Sequence, residues 1–416
     1  MRRGGRCIER RISEGYALLL VTVFFLFLPI GGYERMMEGK YHCFLILSIG
    51  YLLAVMRAGA RRELRPHETA DLLALVYLAV TILSAVLSPY GAAVLLGGTR
   101  RDGLLTVTLY VVCFLLLARY LHPGRRLLYA AAGSAALCDL LVLIQLAGKN
   151  PLWLYPAGLN YFDGDSAYLG FYAGTAGNID FTAFLLALCA AAMAAALVRG
   201  WSRWLFVPLM LTVWTLVQLH VAAALLGLTV AAVVSLPLLF PRRKGVMWAL
   251  AALFTLAALI FLWYYPGSGG TLTELHLLLR GRADAGFGSG RLGLWRALVP
   301  LIAEHPMLGG GCGTLYLRDA EPFYWYHGGE TVHAAVTSAH NEYLGILIDQ
   351  GTLGLAAFLA LLVYALHRAY RQEDDRSAVA GTALVCYAVM TFFTPASCIT
   401  GAFLWLLFAI ITGKRA

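Results

Sequence analysis

The sequence predicts an all-α fold: a polytopic integral membrane protein with about 12 transmembrane helices and one large extracytoplasmic loop. Composition is the first sign, since 60% of the 416 residues are hydrophobic and only 13% charged, more apolar surface than a water-soluble domain of that length can hide. The second is periodicity. Apolar stretches that approach a bilayer crossing lie near 16–32, 41–58, 70–88, 103–121, 126–147, 179–198, 203–219, 221–240, 246–264, 344–366, 378–395 and 397–412. The third is the placement of charge. With the N-terminus inside, 22 of the 32 Lys and Arg residues fall on inner segments and ten on outer ones. An even number of spans with both termini cytoplasmic satisfies the positive-inside rule.

Taken in order, the arginine-rich start before residue 16 leads into an apolar run without a small-residue cleavage pattern, which reads as an uncleaved signal anchor. Residues 1–265 then hold the first nine spans, 266–340 an extracytoplasmic loop, and 341–416 the last three spans. The net charge of +9 is dispersed between apolar runs, so it reads as a topology signal and not as a nucleic-acid groove. Eight cysteines show no CxxC pair and no His/Cys ligand spacing, so no metal and no cofactor is expected. Most should pack as small hydrophobes; Cys312 and Cys398 fall on the outer side, where pairing is open.

An arginine kept outside works against the orientation signal and is therefore a candidate for another task. Three outer segments matter. The first holds Gly97-Gly98-Thr99-Arg100-Arg101-Asp102-Gly103, the second (149–180) is rich in Tyr, Gly and Asn, and the third is the long loop. That loop carries Gly286-Phe287-Gly288-Ser289-Gly290-Arg291, after which Leu292, Leu294, Trp295, Leu298, Leu301 and Ile302 recur at near-helical spacing, as in an amphipathic helix lying on the interface. Arg291 would open that helix, with Arg296 one and a half turns on, and free N–H groups at a helix start favour an anion there. Further on come His305-Pro306-Met307-Leu308-Gly309-Gly310-Gly311, a turn-rich break, and Ser338-Ala339-His340-Asn341-Glu342 at the mouth of the tenth span. Two acids lie in spans: Asp139, by default a functional candidate, and Asp349, for which helix packing is the simpler account.

At these residues the chain resembles the O-antigen ligase and O-antigen polymerase family of bacterial envelope enzymes. The resemblance rests on Ser289-Gly290-Arg291 with Trp295, on His305-Pro306-Met307-Leu308-Gly309, on His340-Asn341-Glu342-Tyr343-Leu344 and on Gly351-Thr352-Leu353-Gly354-Leu355. Gly177-Asn178-Ile179-Asp180 is similar to the family's Gly-Asn-x-Asn element, with Asp180 in place of the second Asn.

The resemblance implies a metal-independent glycosyltransferase of the bacterial cytoplasmic membrane. It would move a glycan from a polyprenyl (undecaprenyl) diphosphate carrier to a glycan or lipid-anchored acceptor in cell-envelope biogenesis, with the lipid bilayer and no nucleic acid as partner. The chemistry asks for neutralisation of about two negative charges and for help to an attacking hydroxyl. His340 is then the expected base or acceptor-positioning group and Arg291 a diphosphate clamp, both catalytic, with Arg101, ahead of Arg100, as the second clamp. Arg100, Arg101, Arg296, His305, Asn341, Glu342, Asn178 and His220 are expected to bind substrate. His220 enters because the family's Ser-Arg pair before the eighth span reads Leu219-His220 here; Arg100 and Arg101 are the other source of that charge. Two rival classes remain, a polytopic transporter of a small anion or lipid-linked saccharide and a non-catalytic envelope scaffold.

Overall fold

The computed structural model describes residues 2–59, 68–163, 169–283, 286–318, 323–327, 330–334 and 336–413. About 75% of the chain is helical. The helices are α1 (Arg2–Leu19, continued by a π turn, Leu20–Phe24), α2 (Met36–Arg57), α3 (Thr69–Leu87), α4 (Ala93–Leu96), α5 (Leu104–Tyr120), α6 (Arg125–Leu146), α7 (Ile179–Val198) and α8 (Phe206–Leu219). They continue with α9 (Ala222–Val234), α10 (Leu236–Leu239), α11 (Lys244–Tyr264), α12 (Gly270–Leu279), α13 (Phe287–Glu304), α14 (Glu342–Arg371), α15 (Asp375–Met390) and α16 (Cys398–Thr412). Two small antiparallel hairpins interrupt them, β1–β2 (Tyr172–Ala173 with Gly177–Asn178) and β3–β4 (Phe323–His327 with Glu330–Ala334).

Each of the twelve apolar stretches falls mainly on helix. Six helices among the described residues are long and apolar enough to cross a membrane: Gly32–Arg57, Thr69–Leu87, Arg125–Leu146, Ile179–Val198, Pro241–Tyr264 and Glu342–Arg371. Leu104–Tyr120, Arg203–Leu219, Ala222–Val234 and Cys398–Thr412 are apolar but shorter. The core is built on α15, which packs against α7, α9 and α16, while α14 lies on α3 and α16 on α5. At the periphery, α11 is apolar along nearly its whole length after Lys244 yet buries only Ala251. In water such a helix would be unstable; in a bilayer its exposed face is solvated by lipid.

Some polar groups inside the bundle find partners close by. Asp139 accepts from the Thr212 hydroxyl at 2.6 Å. Arg119 and Asp71 form a buried ion pair at 3.0 Å. Lys40 stands in the sequence just before the apolar stretch near 41–58. It lies inside α2, wholly buried, and donates to the carbonyls of Phe24 and Phe25 at 2.6 and 2.8 Å, which are freed where the π turn ends the first helix. Cys312 and Cys398 are both buried and free.

Two of the motifs meet each other. Helix α14 breaks at Gly351, whose φ of 70° lies in the left-handed region. The His305–Gly311 segment docks into the break: Thr352 and Leu353 donate to the carbonyls of Pro306 and Met307, and Gly310 and Gly311 donate to those of Ile348 and Asp349. A Cβ on Gly351 would stand 2.2 Å from the Met307 carbonyl carbon. Arg318 locks this joint, pairing with Asp349 at 3.0 Å and donating to the Ile348 carbonyl and the Thr314 hydroxyl. Asp349 is thus a packing residue, as the simpler reading holds.

Candidate active site

Four helix starts converge at one end of the bundle, because α5, α7, α14 and α16 all begin there. The amide of Cys398, first in α16, donates to the Arg100 carbonyl just before α5. Asn178 caps α7, its side-chain oxygen accepting from the amides of Asp180 and Phe181 at 2.9 and 3.4 Å. That cap fixes Asp180 in the first turn, facing the loops. Asn341 caps α14 in the same way, accepting from the Leu344 amide at 3.0 Å. Each of these helices then runs to the opposite end, where Arg119, Arg199, Arg368 and Arg371 lie.

Arg100 reaches over the ring of Phe181 at 5.4 Å, and its guanidinium makes no hydrogen bond to another described residue. Arg291 follows three residues with positive φ, Gly288, Ser289 and Gly290, so the helical run of α13 starts at the arginine itself. Its guanidinium donates to the Gly288 carbonyl at 3.2 Å and lies 3.6 Å from the Asp180 carboxylate. His340 sits at φ 47°, a conformation rarely held by a residue with a Cβ. Its neighbours enforce it: the Trp295 indole donates to the Ala339 carbonyl at 2.9 Å, and the Glu342 amide donates to the Thr391 carbonyl at 2.9 Å.

The electrostatics tie these groups together. Burial pulls the His340 imidazole down from its ordinary 6.5 to about 3, with the charges of Arg100 and Arg291 adding to the effect. Burial also lowers Arg100, opposed by the nearby carboxylates of Asp102 and Asp180, and raises Asp102. In the free protein, then, His340 is a neutral imidazole beside two cations. Arg100 also lines a small cavity of about 80 Å³, together with Asp102, Tyr110, Asn341, Glu342 and Gln350. No three His, Cys, Asp or Glu among the described residues are grouped to hold a metal ion.

The structure therefore brings together Arg100, Arg291 and His340, and adds Asp180, which the sequence marked only as a motif change. The other expected binding residues lie differently. Asn178 and Asn341 spend their side-chain oxygens on helix caps. Glu342 is buried and accepts from the Tyr387 hydroxyl at 3.1 Å. Arg101 turns to the other side of its loop, over the Tyr41 ring at 5.7 Å. Arg296 and His305 are exposed, on a face and at an end of α13 that the Arg291 turn does not share. His220 is exposed at φ 54°, with its ring on the Gln218 carbonyl at 2.8 Å. No contact among the described residues ties it to Arg100, Arg291 or His340, whereas Arg100 and Arg291 both act on His340. The side chains of His327, His333 and the Phe323–Tyr326 aromatic run lie outside the described residues.

Residues 207–359, from α8 to the middle of α14, match the family model for O-antigen ligase. This stretch is an O-antigen ligase family domain. It contains Arg291 and His340, whereas Arg100 and Asp180 come from the preceding part of the chain. The apolar helices and the O-antigen ligase match indicate a multi-pass membrane protein, and the match supports a ligase- or polymerase-like role. No curated protein matches the chain.

Proposed function

We propose that the chain transfers a glycan from a polyprenyl diphosphate carrier to a glycan or lipid-anchored acceptor on the outer face of the bacterial cytoplasmic membrane. The observation that carries this reading is the convergence of Arg100, Arg291 and His340 from three distant parts of the sequence. Two guanidinium groups match the diphosphate in charge and geometry. In the reaction the acceptor oxygen forms a bond to the anomeric carbon as the bond from that carbon to the diphosphate oxygen breaks. The carrier diphosphate leaves with the electron pair, held by Arg100 and Arg291, and the hydroxyl proton passes to the neutral imidazole of His340. The leaving group is already activated, so the scheme needs no metal.

Orientation follows from charge. The site lies at the end of the bundle opposite Arg119, Arg199, Arg368 and Arg371, and connectors rich in arginine stay cytoplasmic. Both termini and the basic connectors are then inside and the site outside, with twelve crossings in all. The test is the envelope glycan profile of a deletion strain complemented with wild type, His340→Ala or Arg291→Ala. Loss of the glycan species with both variants, at normal membrane insertion, is the expected result. Full restoration by either variant overturns that residue's role. In vitro, transfer from an isolated polyprenyl-diphosphate glycan should persist in excess chelator.

A further inference from the structure

A second cavity, of about 120 Å³, lies between the π turn that ends α1 and helices α6, α7, α15 and α16, and runs to the end of the bundle opposite the candidate active site. Its walls are apolar, with Leu127 and Ala131 from α6, Leu188 and Ala192 from α7, and Leu406 and Ile410 from α16. The lining residues run from 185 to 192 on α7, from 376 to 383 on α15 and from 403 to 410 on α16. Each run is about 10 Å of helix rise. The chamber is therefore long, narrow and parallel to the helices, the shape of an extended hydrocarbon chain.

The far end changes character. Arg376 lines it, and so does Trp201, whose ring lies 5.7 Å from the Arg125 guanidinium and whose carbonyl accepts from Arg125 at 3.2 Å. Arg125, Arg126 and Arg376 are exposed. The acids on the same connectors are engaged: Asp375 pairs with Arg199 at 2.6 Å, Glu373 with Lys244 at 3.3 Å, and Asp374 caps α15 through the Ser377 amide. Even with Asp374 counted at full charge, the three exposed arginines leave this rim cationic. Basic connectors alone are what membrane orientation asks for; an apolar chamber opening among them is not. We infer that the chamber seats one acyl chain of an anionic phospholipid, with the lipid phosphate on Arg125 and Arg376. A lipid chain gains little by exchanging other chains for an apolar wall, so the chamber supplies the fit and the arginines supply the preference for negative charge.

The test is native mass spectrometry of the full-length protein in neutral detergent, with an equimolar mixture of dioleoyl phosphatidylglycerol and dioleoyl phosphatidylcholine, which share their chains and differ in charge. The readout is the ratio of the two singly lipid-bound species. The wild type should retain phosphatidylglycerol in preference, and Arg125→Gln and Arg376→Gln should each narrow that preference about fivefold, the size of one basic side chain's effect at an anionic surface. Ala192→Phe, or Ala131→Phe from α6, fills the chamber and should cut retention of both lipids together, at unchanged helix content by circular dichroism. Equal retention of the two lipids by the wild type makes the chamber an ordinary lipid contact and overturns the inference. Arginine variants that leave the preference where it was overturn it too. Phosphatidylglycerol retention untouched by both filling variants places the headgroup on the surface without a seated chain, and the inference falls. None of these outcomes depends on the glycan-transfer reading, which rests on the other end of the molecule.

Discussion

Arg318 and Arg291 are both arginines set against an aspartate on a long apolar helix, and they differ in how far their donors are used. Arg318 is almost wholly enclosed and meets Asp349, the Ile348 carbonyl and the Thr314 hydroxyl. Arg291 has one weak backbone bond and a long ion pair, with a fifth of its side chain open. The first is saturated and holds the loop to α14; the second keeps capacity for a ligand. Position relative to a motif would not separate them, since each lies in the connection between α11 and α14. What separates them is the number of acceptors the fold provides.

Substitution separates the two arginines most clearly. Arg318→Ala leaves Asp349 buried without its cation, at a cost of about 3–5 kcal/mol, and is expected to abolish folded protein in thermal unfolding measured in detergent. Arg318→Ala with an unshifted midpoint would put both arginines in one class. At the other pole, His340→Ala should leave the unfolding midpoint near wild type and cut the transfer rate by roughly 10²–10⁴. Arg291→Gln should do the same with a loss of roughly 10²–10³, measured as single-turnover glycan transfer.

The pH response sharpens the contrast further. His340 is held down to about 3 against an ordinary 6.5, so between those values the unfolded chain binds the proton and the folded chain does not. Stability from this group therefore rises with pH across that window and is complete above 6.5. A diphosphate that cancels the charges of Arg100 and Arg291 lets the imidazole climb back, so the acid limb of kcat should lie at higher pH than that of kcat/KM. Coincident limbs would show that the arginines and the imidazole are not coupled. The smallest effects are expected at Arg296→Ala and His220→Ala, each changing transfer by less than about threefold, as exposed residues away from the cluster do.

Much of this was legible in the sequence, for reasons that can be named. Apolar length located the helices because a bilayer leaves the backbone few alternatives. Arg291 and His340 stood out as charged or titratable residues at outer junctions, and the fold brings them together. Asn178 and Asn341, expected from the sequence to bind substrate, place their side-chain oxygens on helix caps, a role the sequence does not separate from a polar contact because both use the same residue types. Arg100 and Arg101 are adjacent, and only the turn at Arg101, with its positive φ, decides which of them points to the site. Asp180 was visible only as a changed letter in a motif, since its meaning depends on an arginine 111 positions later. The His305–Gly311 and Gly351–Leu355 motifs gave no hint that each exists to fit the other.

Lys40 has a consequence for experiments on the living protein. Its ammonium is sealed on two main-chain carbonyls, with no surface open to water. Amine-directed reagents should therefore pass it by in the native membrane and modify it once the first two helices separate. Peptide mapping of that single adduct would time the coming apart of the N-terminal pair independently of the catalytic end.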